Sequence, residues 1–187
     1  MGYREYAKDY EIEYVPREGK GRPRARRIYV GPYFRFRAAP AVICRRKWQY
    51  LVLLAVQAAA LLVPLSIDCG LTRVWYASVP AAAAWIPWLL AGCSVWRLWT
   101  ARELVEREHN DLLHDRMRGE SFFLMGLIGI STLGAAVWLG RGGAKAADMA
   151  VCGALLICLI CGAAMFALCR DLQMERVENP EKPQARK

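Results

Sequence analysis

The sequence predicts an all-α integral membrane protein: four transmembrane helices, both termini on the cytoplasmic side, and a small basic N-terminal arm folded as a β-hairpin. Three observations lead there. Four apolar runs, each able to cross a hydrocarbon core of about 30 Å, punctuate the chain. Lys and Arg collect on one set of connecting segments. Ahead of the first run, two stretches alternate apolar and polar side chains as strands do.

Composition supports the class. The chain has 187 residues and is 56% hydrophobic, above the ~45–50% usual for soluble domains. The net charge is +9, from 26 Lys+Arg against 17 Asp+Glu. In a soluble protein that excess would suggest nucleic acid. Here the cations flank apolar runs, so anionic lipid head groups are the expected counter-charge and no nucleic-acid partner is expected.

The arm, residues 1–47, holds 13 Lys/Arg and 5 Asp/Glu. Met1–Asp9 is polar with no apolar core, so the first span is expected to direct insertion itself. Gly2 is followed by Tyr at position 6, which fails the myristoylation pattern. YEIEYV at 10–15 and RIYVGPYFRF at 27–36 read as strands, with the Pro/Gly/Arg segment PREGKGRPRAR turning between them. Antiparallel pairing would set Glu11 and Glu13 near Arg26 and Arg27. A two-stranded hairpin is marginal alone, so it is expected to rest on the cytoplasmic loop, the membrane surface or a partner. Phe34, Arg35, Phe36 and Arg37 would set aromatics in the interface and cations beside phosphates.

The first run, residues 48–65, follows Arg45, Arg46 and Lys47 directly and contains no ionisable group. One charge at its centre would cost about 2.5–3.5 kcal/mol, so that absence is informative. The basic triplet holds this end in the cytoplasm and is the expected lipid anchor. The second run, residues 74–96, carries Trp75 and Tyr76 at one end and Trp96, with Trp99 beyond it, at the other, as interfacial belts require. Pro80 and Pro87 should bend it. Trp85 and Trp88, one turn apart, are read as packing residues.

Residues 97–120 form the cytoplasmic loop. Leu98, Val105, Leu112 and Leu113 recur at helical spacing, so the second span is expected to run on as a helix and turn near Asn110. In the third run, residues 121–140, Gly126, Ile130 and Gly134 share a face, marking Gly126 and Gly134 for close helix packing. The fourth run, residues 146–169, is again dense in Gly and Ala. The tail, residues 170–187, is expected to be helical for two turns before the Pro-rich, charged ENPEKPQARK. Of 26 Lys/Arg, the arm, loop and tail hold 13, 5 and 5, leaving Arg73, Arg141 and Lys145 in the short outer loops. By the positive-inside rule both termini are cytoplasmic, and the protein belongs in a plasma or inner membrane.

Motifs for chemistry are sparse. His109 and His114 stand among acids, but a spacing of five sets the rings about 140° apart on a helix, unlike a metal pair one turn apart. Cys158 and Cys161 form a C-x-x-C, a redox pattern, yet Cys158 lies about twelve residues into its run, where a thiolate is hard to form. Packing explains the pair more simply. The spanning runs are read as free of Asp, Glu, Lys, Arg and His, with Gln57 their one long polar side chain, which disfavours ion-coupled carriage. No cofactor, metal or catalytic group is expected. The sequence therefore reads as a small accessory subunit that packs against a larger membrane protein or another copy of itself. A thiol–quinone oxidoreductase using Cys158 and Cys161, or a facilitative oligomeric carrier, are the alternatives.

Overall fold

The computed structural model describes residues 6–15, 24–101, 104–142 and 145–177 and is mostly helical. Among them, four helical stretches are long and apolar enough to cross a membrane: Pro40–Ser66, Trp75–Thr100, Asp115–Gly140 and Ala146–Leu168.

Helix α1 (Pro40–Ser66) starts well before Trp48. Pro40 supplies the first helical position, where a missing N–H costs no hydrogen bond. The added turns put Cys44, Arg45, Arg46 and Lys47 on the helix itself. The second span is two helices, α2 (Trp75–Ala83) and α3 (Trp85–Thr100), broken at Ala84. Pro87 causes the break: it has no N–H for the Ala83 carbonyl, and its ring crowds that carbonyl. Pro80, by contrast, stays inside α2. Helices α4 (Arg107–Gly140) and α5 (Ala146–Leu168) complete the set.

The four spans close into a ring. α5 packs between α1 and α4, α4 also lies against α2 and α3, and α3 meets α1. One stripe of α1, Tyr50, Leu54, Gln57 and Leu61, is buried at helical spacing. Tyr50 is fully enclosed and its hydroxyl donates to the Met165 carbonyl of α5 at 3.2 Å. Trp88 Nε1 donates to the Leu54 carbonyl at 3.2 Å, tying α3 to α1, while its ring meets Trp85 edge-on at 5.2 Å. The outward faces are apolar too: Val52, Ile86, Phe122, Phe123, Leu133 and Ile160 are all exposed. In water so much contiguous apolar surface would aggregate; beside lipid it costs nothing.

The fold is not purely helical. Strands β1 (Tyr10–Val15) and β2 (Arg24–Tyr29) form the N-terminal antiparallel hairpin. Strands β3 (Tyr33–Phe36), β4 (Leu104–Glu106) and β5 (Met174–Val177) form a second antiparallel sheet, order β4-β3-β5. It draws on the arm, the loop between α3 and α4, and the tail, so these three segments share one end of the bundle, here called the sheet end.

Three sequence expectations change. The stretch 27–36 is two strands in different sheets, parted at Val30–Pro32, where Pro32 cannot donate to a ladder. The second span stops at Thr100 rather than running on to a turn near Asn110; Ala101 turns extended, β4 follows with Val105 buried, and α4 then runs unbroken from Arg107 into the third span. After Cys169 the chain makes one 3₁₀ turn, Cys169–Leu172, and then enters β5, because Met174–Val177 meets the open edge of β3. The segment ENPEKPQARK and most of the arm's turn, residues 16–23, lie outside the described residues.

Candidate functional site

The sheet end carries the densest polar organisation. Its hub is Tyr29, at the end of β2, whose side chain is buried. The ring meets Tyr10 and Tyr33 edge-on at 5.2 and 5.1 Å. Its hydroxyl accepts the backbone N–H of Arg107, the first residue of α4, and donates to the Pro32 carbonyl, both at 2.9 Å. Tyr29 thus caps α4 and pins the hairpin to it at once. Burial pushes the Tyr29 phenol above its ordinary value; the Arg107 N–H opposes this, and the charges of Asp9 and Glu106 add to the rise.

Gly31 makes that packing possible. A Cβ there would lie 2.7 Å from the Tyr29 ring and 2.8 Å from Asp9 Cβ. The Asp9 carbonyl accepts from Val30 and Gly31 N–H at 2.8 and 3.2 Å, the Asp9 carboxylate pairs with Arg107 at 4.0 Å, and Tyr10 Oη donates to Glu106. The hairpin therefore rests on the loop strand and on the start of α4.

Beyond this base the hairpin stands clear. Ile12 is 57% exposed and Tyr14 66%, on the same face of β1. The register sets Glu13 opposite Arg26, as the charge pattern suggests, but Arg27 opposite Ile12 and Ile28 opposite Glu11. Arg27 is therefore on the face of Ile12, not of Glu11.

The three side chains of the basic triplet do not lie in one patch. Arg45 is exposed, Arg46 donates to Gln49 Oε1 at 2.6 Å, and Lys47 Nζ reaches the Trp99 carbonyl of α3 at 3.3 Å. A helix turns about 100° per residue, so the three fan out. Lys47 instead joins Arg35 and Arg37 around a cavity of about 670 Å³ between β3, the first turns of α1 and the end of α3. Trp48 and Trp99 meet edge-on at 5.2 Å beside it.

The helix interiors hold the remaining candidates. Cys158 and Cys161 are free and buried, and Cys158 packs in the apolar cluster with Leu61, Ile128 and Leu155. The two glycines divide. Gly134 is closed by Tyr76, whose ring would lie 2.9 Å from an added Cβ, whereas Gly126 is exposed with nothing near it. Two buried acids escaped the sequence reading. Asp148, in the first turn of α5, accepts the N–H of Leu71 at 2.8 Å and of Lys145 at 3.1 Å. Glu120 accepts from Ser94 at 2.7 Å and Arg116 at 3.0 Å, joining α3 to α4. At the far end Arg73 pairs with Asp68 at 2.8 Å, and this hydrogen-bonded pairing holds the Asp68 carboxyl below its usual range. An apolar groove of about 270 Å³ opens there between α1 and α2, lined by Leu61, Leu65, Ala81 and Trp85. His109 and His114 fall in the first turns of α4, but their side chains lie outside the described residues. Among the described residues no group of three or more His, Cys, Asp or Glu is placed to hold a metal ion.

No protein-family model, curated protein or solved structure matches the chain.

Proposed function

We infer that this is a multi-pass membrane interaction subunit, oriented with both termini in the cytoplasm, that docks on a larger membrane protein through its hairpin. The observation that carries this is the mounting of the hairpin. Its base is locked by Tyr29 to α4 and by Tyr10 to Glu106 of β4, while Ile12 and Tyr14 project exposed from that support. Exposed apolar side chains on a fixed strand are the form a recognition element takes, because binding then orders little that was loose. Arg27 on the same face adds a charge for orientation. The lipid-facing side of α4, with exposed Gly126 beside exposed Phe122 and Ile130, supplies a close-approach surface for a partner span. The orientation rests on 23 of 26 Lys/Arg lying in the arm, loop and tail.

The test is purification of the tagged protein at native expression in mild detergent, beside the double variant Ile12→Ser/Tyr14→Ser. A stoichiometric membrane protein that accompanies the native chain and is lost with the double variant supports the reading. A chain that emerges alone, carrying quinone or a Cys158–Cys161 disulfide, refutes it in favour of thiol–quinone chemistry.

A further inference from the structure

We propose that the basic cavity at the sheet end is a stoichiometric binding site for the headgroup of an anionic phospholipid. Its charge is lopsided: Arg35, Arg37 and Lys47 face one acid, Glu175. Arg35 and Glu175 are cross-strand partners on β3 and β5, yet no ion pair joins them in the structure, so that guanidinium keeps its capacity to bind an anion. The Arg37 N–H donates to the Gln173 carbonyl at 3.1 Å, which holds the end of β3 in place under the cavity.

The volume, about 670 Å³, falls in the range of roughly 300–1,000 Å³ typical of small-molecule sites. It exceeds what a bare phosphate needs and suits a phosphate carrying its glycerol. The walls say the same. Phe36, Ile43 and Trp99 bring apolar surface beside the cations, the pairing that a headgroup with the top of its acyl chains requires. The position fits as well, given that the four helices span a membrane. Lys47 is two turns into α1 and Trp99 one residue from the end of α3, and exposed Trp48 and Trp96 ring the same level. Tryptophan collects where headgroups lie. Arg35 and Arg37 reach this level only because β3 is held by β4 and β5.

This goes beyond a diffuse attraction of the arm to negative lipid. A diffuse field would weigh Arg45 and Arg46 as heavily as Arg35 and Lys47. A built site weighs only the cations that line it. The experiment is native mass spectrometry of protein released from nanodiscs of phosphatidylcholine doped with phosphatidylglycerol. Two variants remove the same charge: Arg35→Gln/Lys47→Gln inside the cavity, and Arg45→Gln/Arg46→Gln outside it. The expected result is one retained phosphatidylglycerol in the native chain and in the outer variant. The cavity variant should lose it on the order of tenfold or more. Thermal unfolding of both variants in the same nanodiscs checks that the fold is intact.

Equal loss in both variants overturns the site in favour of a diffuse field. Retention of phosphatidylcholine as strong as phosphatidylglycerol overturns the charge argument. Displacement by soluble glycerol phosphate as readily as by phosphatidylglycerol reassigns the cavity to a free phosphate and overturns the lipid commitment. Failure of the native chain to enter nanodiscs at all would sink the membrane reading instead, a separately visible outcome.

Discussion

Replacing Tyr29 by Phe should release the hairpin without loosening the helices. The substitution keeps the ring, so the edge-on packing with Tyr10 and Tyr33 survives. It removes one hydroxyl that accepts from Arg107 N–H and donates to the Pro32 carbonyl. At a net ~1 kcal/mol for each hydrogen bond, the docking of the hairpin loses about 2 kcal/mol. That corresponds to roughly a 30-fold rise in the opening equilibrium. Amide hydrogen exchange reads it directly: protection in β1, β2 and at Arg107 should fall by that factor, while amides of α1 and α5 stay unchanged. Alkaline pH supplies a second arm. The Tyr29 phenol is raised by burial, so the folded state favours its neutral form. Docking strength is then fully present below the ordinary tyrosine value near 10 and is lost as pH rises through the raised value. Tyr29→Phe should erase that dependence. Unchanged protection in the hairpin, or equal loss throughout the bundle, would refute the assignment of Tyr29 as the pin.

The two glycines of α4 should separate cleanly. Gly134→Leu drives side-chain atoms into the Tyr76 ring and carbonyl, at 2.9 and 3.2 Å from Cβ, and should lower stability by about 1–3 kcal/mol, seen as a drop in Tm in detergent. Gly126→Leu meets open space, so Tm should hold within about 0.5 kcal/mol equivalent while recovery of a partner span falls. Asp148→Ala leaves the Leu71 and Lys145 N–H groups without their acceptor. It should cost about 1–2 kcal/mol and hasten tryptic cleavage after Arg73, with Asp148→Asn falling between the two.

The spans were legible because partition into lipid depends on composition over about 20 residues, which a run such as 121–140 displays without reference to anything else. The hairpin's first strand, Tyr10–Val15, was legible for a similar local reason: alternation. What failed to show was decided by distant residues. Gly31 and Pro32 are a local sign of the break in 27–36, but the demand for glycine there is set by the Tyr29 ring and Asp9, which occupy the space a side chain would need. Leu98, Val105 and Leu112 fit a helical period, but Val105 is drawn into β4 by Phe34, some seventy positions earlier in the chain. The cavity was half visible. The alternation of aromatics and cations at 34–37 points Arg35 and Arg37 at phosphate, and Lys47 at the start of the first run is an anchor, but their meeting depends on β3 pairing with the tail. Asp148 did leave a local sign, an acid three residues after Lys145, where a helix's first turn welcomes one.

Strands of three or four residues do not associate as free peptides, so the second sheet must take its stability from elsewhere. Each strand is delivered by a helix end: β3 leads into α1, β4 lies between α3 and α4, and β5 follows α5 after one 3₁₀ turn. With the ring of helices assembled, these ends already lie side by side, and little further loop-closure entropy opposes pairing. Without the ring it opposes pairing strongly. The central strand β3 therefore waits for α5, although it precedes every span. The hairpin is joined to β3 through Gly31 and pinned to α4 by Tyr29, so it too reaches its final position only when all four spans are packed. Fixed Ile12 and Tyr14, and the cavity of Arg35, Arg37 and Lys47, then both depend on the packed ring of helices. On the proposed reading, a partner that docks on the hairpin would meet only copies whose four spans are packed.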